Sequence, residues 1–242
     1  MKQCVILATP CLNHAVALEF LRSAVATTHL LSNRFLADGD FGFSWQQRAG
    51  DCFVAKVRSK LVGEFLDNPH ATDLFFIDDD LGWPPEKVLE FLDRPEPILA
   101  GAYPKRSDTL DWPVSLLSDA ATGELIEDQG LIAADLAATG FMRIKRAVLE
   151  ALYPLGPVFR EREADGVERQ WRAVFNSGPA DDGQWWGEDY HFCNLARANG
   201  FDIWVDPSIE FHHRGQKRYT GTLAQSLDQF RARARQAARS AA

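Results

Sequence analysis

Asp73-Leu74-Phe75-Phe76-Ile77-Asp78-Asp79-Asp80-Leu81-Gly82-Trp83-Pro84-Pro85-Glu86 is the stretch whose reading decides the fold. Leu74 to Ile77 is an unbroken apolar run, too short for a helix and rich in aromatic and β-branched residues, so it reads as a strand buried on both faces. Asp78, Asp79 and Asp80 follow at once, where open α/β sheets bind ligands: the crevice outside the carboxyl ends of the strands. Each carboxylate raises its neighbours' pKa unless a cation or hydrogen-bond donors offset the charge. Adjacent hard oxygen ligands suit Mg²⁺ or Mn²⁺, and such an ion suits a substrate carrying phosphates. The plainer alternative is a polar turn with an N-cap before a helix begun by Pro84-Pro85-Glu86, but a turn needs one aspartate rather than three.

Upstream, Val5 to Ala8 is a second apolar run, ended by Thr9-Pro10-Cys11-Leu12-Asn13, and reads as a buried strand feeding a loop. From Ala15 to Thr28 apolar residues recur at helical spacing (Val16, Phe20, Leu21, Ala24, Val25), which makes the opening a strand-loop-helix unit. Such a unit starts a doubly wound sheet and puts Thr9 and Asn13 at the same edge as the aspartates. Residues 32–50 mix glycines and aromatics without a period and read as a short strand and a loop. Between Cys52 and Leu66, Phe53, Val54, Val57, Leu61, Val62 and Phe65 mark an amphipathic helix, with Lys56, Arg58 and Lys60 on other faces. Lys56 and Arg58 either reach a diphosphate bound beside the acidic strand or lie on a solvated charged face, as does Lys60.

Downstream, Glu86 to Leu92 reads as a helix and Ile98 to Tyr103 as a strand ending in Pro104-Lys105-Arg106. Leu110 to Leu117 and Leu125 to Leu131 suggest a hairpin around Asp119 to Gly123, an antiparallel insertion roofing part of the site. Ala138 to Ile144 alternates as a strand, and Lys145 to Leu152 continues as a helix. Residues 154–184 carry repeated turn signals, Asp181-Asp182-Gly183 among them, and read as a long irregular segment suited to a lid. Gly187-Glu188-Asp189-Tyr190 opens a helix with acidic residues in its first turn, and Asn199-Gly200 closes it. Phe201 to Val205 is the next strand, and Ile209-Glu210-Phe211 leads to His212-His213-Arg214-Gly215.

With 242 residues and 46% apolar content the chain can bury one sizeable core, so residues 1–220 are expected as one domain, followed by a basic helical tail at 221–242. That tail carries Arg231, Arg233, Arg235 and Arg239 and either packs on the body or meets a membrane surface or polyanion. A net charge of -8 argues against broad attraction to nucleic acid or anionic lipid. Cys4, Cys11, Cys52 and Cys193 have no zinc-type spacing, which fits a reducing cytoplasm, and no stretch approaches 18 uninterrupted apolar residues, so no membrane span is expected.

The acidic and imidazole clusters Asp78-Asp79-Asp80, Glu188-Asp189 and His212-His213 all fall at strand or loop ends. They are joined in order by Thr9-Pro10, Lys56-Val57-Arg58-Ser59, Gly101-Ala102-Tyr103-Pro104-Lys105, Thr139-Gly140-Phe141-Met142 and Trp204-Val205-Asp206-Pro207. This succession, over roughly residues 4 to 220, resembles the GT-A-fold nucleotide-sugar glycosyltransferases, especially the small bacterial and phage members. The resemblance implies an α/β, Rossmann-like GT-A fold: a mostly parallel central sheet flanked by helices, with a small antiparallel insertion. It implies a nucleoside-diphosphate-sugar donor, a Mn²⁺ or Mg²⁺ cofactor and transfer to a hydroxyl acceptor with inversion. Asp78 and Asp80 look like the two ends of the family's Asp-x-Asp motif, Asp80 and His213 being metal ligands, with Asp78 facing the metal or the donor ribose and His212 the rival to His213. Thr9, Pro10 and Cys11 would line the nucleotide, with Lys56, Arg58 and Asp79 nearby. Asp189 resembles the catalytic base, with Glu188 the alternative. Tyr103, Gly140 and Trp186 would border the substrate, and Trp83, Trp112 and Trp185 either join them or pack in the core. Ser59 and Arg214 depart from the residues most relatives have there. The acceptor is a glycan, a lipid-linked or small molecule, or a modified DNA base. A nucleotidyltransferase would need a basic, glycine-rich triphosphate loop that Thr9 to His14 does not provide, and a non-catalytic sugar-binding module would have no need of Asp189.

Overall fold

The computed structural model describes residues 2–180 and 183–241. Strand β1 (Gln3–Cys11), helix α1 (Leu18–Ala37) and β2 (Phe41–Ala49) open the chain, and α2 (Val54–Asp67) leads to β3 (Asp73–Ile77). Next come β4 (Leu81–Gly82), α3 (Glu86–Asp93), β5 (Ile98–Gly101), β6 (Val114–Leu116), β7 (Glu127–Asp128), β8 (Leu131–Ala137), β9 (Phe141–Lys145) and α4 (Arg146–Leu152). The short strands β10 (Val158–Arg162), β11 (Glu168–Arg172), β12 (Gly178–Pro179) and β13 (Trp185–Trp186) precede α5 (Glu188–Ala198). β14 (Ile203–Asp206), β15 (Phe211–Arg214), β16 (Arg218–Gly221) and α6 (Leu227–Ala241) follow.

The main sheet has the order β2-β1-β3-β9-β5-β14-β8-β6, with β7 on β8. β1 pairs in parallel with β2 and β3, and β5 with β14, while β9 is inserted antiparallel between β3 and β5. The five parallel strands therefore end at one edge, and β9 begins there. Its register sets Ile77 opposite Phe141, and the Asp78 N–H donates to the Gly140 carbonyl at 2.9 Å. The acidic strand exit and the Thr139-Gly140 turn are thus held side by side.

The run from Leu74 to Ile77 is fully buried on both faces, as its composition requires. Leu74 and Phe76 join a core with Val57, Leu61 and Phe65 of α2, Leu149 of α4 and Phe192 of α5. Phe75 and Ile77 join the opposite core with Phe20 and Leu31 of α1 and Phe91 of α3. Each of these four side chains contributes about 1.5–3 kcal/mol by leaving water. Helices cover both faces, so the fold is α/β and doubly wound around a mostly parallel sheet. Trp83 and Trp112 are core residues, bonded through Nε1 to Thr27 Oγ1 and Ser226 Oγ, each at 3.0 Å. No described helix is long and apolar enough to cross a membrane.

Several local expectations are corrected. α1 runs on through Ser32-Asn33-Arg34 to Ala37; the Thr28 and Ser32 hydroxyls fold back onto the carbonyls of Ala24 and Thr28, each at 2.8 Å, and so do not draw the backbone into a turn. β2 is a nine-residue strand on the outside of the sheet; Phe41, Phe43 and Trp45 alternate along its first half, but Gln46-Gln47-Arg48 beyond them carry no apolar residue to mark its full length. The turn at Asp119 to Gly123 forms, closed by Asp119 Oδ1 on the N–H groups of Ala121 and Thr122, but β6, β7 and β8 extend the main sheet and do not make a separate roof.

Residues 154–184 are not irregular throughout. β10 and β11 pair as a hairpin, and Glu161 and Glu163 dock it on α2 by ion pairs to Lys56 and Lys60. This corrects the lid reading for residues 158–172, since the hairpin is fastened to a helix by groups that polar composition conceals. It also corrects the solvated reading of Lys60, which is buried above Trp171. Asp181 and Asp182 lie outside the described residues. In the tail, Arg231 pairs with Glu127 and Arg235 with Glu124, so α6 lies against the body at the β6–β8 edge.

Candidate active site

The carboxyl edge of the sheet carries a cleft of two abutting compartments. One, of about 350 Å³, is lined by Asp78, Asp80, Tyr103, Lys105, Arg106, Pro113, Ala138, Asp189 and His213. The other, of about 310 Å³, is lined by Pro10, Cys11, Leu12, Asp51, Cys52, Val54, Asp78, Asp79, Asp80 and Arg106. Asp78, Asp80 and Arg106 border both. Residues from β1, β3, the loop after β5, α5 and β15 meet here because parallel strands deliver their ends to one edge.

Arg58 is the buried anchor of the site. Its Nη2 donates to Asp78 Oδ1 at 2.8 Å and its Nε to Glu188 Oε1 at 3.3 Å, while Nη1 is buried without a hydrogen-bond partner among the described residues. The two carboxylates offset the cost of burying the guanidinium and keep it charged. Glu188 is thereby committed to an ion pair. Asp189, one residue on, enters the larger compartment instead, and burial, reinforced by the Glu188 charge, pushes its carboxyl up to about 6.

The histidines separate cleanly. His213 Nδ1 donates to the Pro104 carbonyl at 2.7 Å, and Nε2 faces Asp80 Oδ2 at 3.6 Å. Burial lowers the pKa of His213, which favours a neutral ring with its lone pair on Nε2. His212, the next residue on the same strand, turns to the other face and contacts Thr220 Oγ1 at 3.2 Å. Asp80 is also ion-paired to Arg106. A divalent ion would thus meet one carboxylate and one imidazole whose other nitrogen is already oriented by a backbone carbonyl, the usual second partner of a ligating histidine. Among the described residues no group of three His, Cys, Asp or Glu side chains surrounds a common metal position. The Asp80–His213 pair fits an ion that completes its shell with water and phosphate oxygens.

The remaining expected residues divide. Pro10 and Cys11 line the smaller compartment, and Asp79 joins them, its carboxyl raised by burial. Thr9 does not line it: β1 continues through Cys11, so Thr9 is fully buried with Oγ1 accepting from Trp45 Nε1 at 3.0 Å. Lys56 is drawn off to Asp51 at 2.7 Å and Glu161 at 3.0 Å and lines a neighbouring cleft. Tyr103 stacks edge-on against His213 at 5.1 Å, and burial, with the Asp78 charge, raises its hydroxyl well above the ordinary value. Gly140 is where Asp78 and Tyr103 converge: a Cβ there would collide with Tyr103 Oη and lie 2.6 Å from Asp78 Oδ2. Trp186 packs on His191 at 5.6 Å and is not among the lining residues, and Trp185 is exposed.

Arg106 and Cys52 are lining residues that sequence reasoning passed over. The one signal for Arg106 was its place just past a strand exit. Ser59 serves the core. Its Oγ donates to the Phe175 carbonyl at 3.0 Å and accepts from the Phe175 N–H at 3.1 Å.

No protein-family model and no curated protein matches the sequence. Among solved structures, A197 from STIV superposes with a TM-score of 0.53 at 16% identity, over 91% of this chain and 90% of that one. A glycosyltransferase involved in the glycosylation of the major capsid of PBCV-1 gives 0.32 at 12% identity, over 61% of this chain and 62% of that one. A putative glucose-1-phosphate thymidylyltransferase from Bacillus anthracis gives 0.42 at 16% identity, over 96% and 95%. At these identities the likeness to A197 is one of fold, shared along nearly the whole of both chains.

Proposed function

We propose that the chain is a glycosyltransferase that moves a sugar from a nucleoside-diphosphate donor to a hydroxyl acceptor, with inversion at the anomeric carbon. The observation that carries this reading is the placing of Asp189. Its carboxyl, raised to about 6, opens into the compartment bordered by Asp78, Asp80 and His213, while the adjacent Glu188 is held by Arg58. A carboxylate poised there can take the proton from an acceptor hydroxyl near neutral pH. Pro10 and Cys11 border the nucleotide side of the cleft, and Asp78, oriented by Arg58, accepts from a donor hydroxyl. A Mn²⁺ or Mg²⁺ ion held by Asp80 and His213 supplies, when bound, the positive charge that a departing diphosphate requires. Tyr103, a phenol kept neutral by burial and the Asp78 charge, lines the same compartment and can donate to a bound oxygen there. Attack from the Asp189 side, opposite the leaving group, gives the inversion.

Incubation with a panel of nucleotide-sugars and Mn²⁺, scored for release of nucleoside diphosphate, tests the proposal. Release by the wild type and by the exposed control Lys2→Ala, with loss in Asp189→Asn and Asp80→Ala, is the expected pattern. Pyrophosphate release from a nucleoside triphosphate and a sugar phosphate would assign nucleotidyl transfer instead. Binding of a nucleotide-sugar without turnover would leave a binding module.

A further inference from the structure

We propose that Arg106 is a displaceable cation built into the site: it holds Asp80 while the cleft is empty, yields that carboxylate to a divalent ion, and then engages the donor's phosphates. The inference rests on the nucleotide-sugar reading above. Three observations carry it. Arg106 is ion-paired to Asp80 through Oδ2, the same oxygen that His213 Nε2 faces at 3.6 Å, so the guanidinium lies on the oxygen a divalent ion would take. Two cations on one carboxylate repel each other, which makes the two occupants competitors. Arg106 also borders both compartments, so a modest swing carries its charge from one to the other.

The loop that bears it is held at its neck and at its tip. Its neck is closed by Lys105 and Asp111, through N–H to carbonyl at 2.8 Å and ammonium to carboxylate at 2.7 Å. Its tip is fastened by the exposed pair between Lys217 and Asp108. Exposed ion pairs contribute little, so release of the tip is easy while the neck keeps the register. The planar guanidinium suits two phosphate oxygens at once, which an ammonium at this position would not.

The test is the affinity for Mn²⁺ alone, by electron paramagnetic resonance of the free ion, and for a nucleoside diphosphate at saturating Mn²⁺, by calorimetry, in wild type and Arg106→Met. Removing a competitor that fills the site most of the time should tighten Mn²⁺ binding by about five- to tenfold. Removing the phosphate contact should weaken nucleoside diphosphate binding by about tenfold. Effects of opposite sign on the two ligands support the proposal; Arg106→Gln, closer in polarity, should repeat them. Equal Mn²⁺ affinities in wild type and variant overturn it and leave the glycosyltransferase reading standing. Weakening of both ligands marks Arg106 as a structural prop and also overturns it. Failure of both proteins to bind Mn²⁺ and any nucleoside diphosphate overturns the inference and the underlying reading together.

Discussion

Arg58 Nη2 lies 2.8 Å from Asp78 Oδ1, a bond that ties helix α2 to the exit of β3 beneath the cleft. The same guanidinium reaches Glu188 at the start of α5, so one buried side chain aligns three elements. Arg58→Met leaves two half-buried carboxylates without their cation and should cost about 3–5 kcal/mol in urea unfolding at pH 7. Adding Asp78→Asn should recover part of that loss; a cost under about 1 kcal/mol for the single variant would refute the anchoring role.

Asp189 sets the pH dependence. Its carboxyl is raised to about 6, so the basic form grows in as pH rises, and transfer should increase between pH 5 and 7 and level off above. Asp189→Asn should lower the rate by about 10²–10⁴-fold and flatten that rise. Stability runs the other way. The folded chain holds this proton more tightly than the unfolded one, so the group's contribution is full below pH ~4 and lost as pH rises through about 6. Asp189→Asn should therefore be more stable than wild type at pH 8, by up to about 3 kcal/mol, with the gap closing toward pH 4.

Gly140 admits no side chain, because Tyr103 Oη and Asp78 Oδ2 occupy the space. Gly140→Ala should destabilise by about 1–3 kcal/mol and weaken donor binding, as both neighbours must move. Tyr103→Phe removes one of the colliding atoms, so in that background Gly140→Ala should cost less in thermal melts. An equal cost in both backgrounds would place the strain elsewhere.

Ser59 closes a two-way bond with the backbone of Phe175 inside the core. Ser59→Ala strands a buried N–H and carbonyl and should cost about 1–3 kcal/mol by urea unfolding, with donor affinity unchanged. A loss of donor affinity at full stability would show that Ser59 touches the nucleotide.

The elements read well from sequence are those whose own burial writes the pattern. Leu74 to Ile77 is apolar at every position because both faces are covered, and Gly200, at a φ of 82°, ends α5 where a side chain would be strained. The full length of β2 and the β10–β11 hairpin escape such a reading for the opposite reason. Their outer faces are wet, and their attachment runs through pairs such as Lys60 with Glu163, which look like ordinary surface charge until the chain is folded.

For the site, the sequence by itself determined which residue types gather at the sheet edge: three aspartates after a buried strand, an acidic helix start and a histidine pair near a late strand. Strand and helix ends are local consequences of burial pattern and turn chemistry, so they can be read in one dimension. Only the tertiary structure decided which member of each pair faces the cleft. Arg58 claims Glu188 and leaves Asp189 open, Pro104 orients His213 while His212 turns away, and Trp45 withdraws Thr9. Adjacent residues differ by a rotation about the backbone and by a partner far along the chain, and neither is encoded in the neighbours on either side.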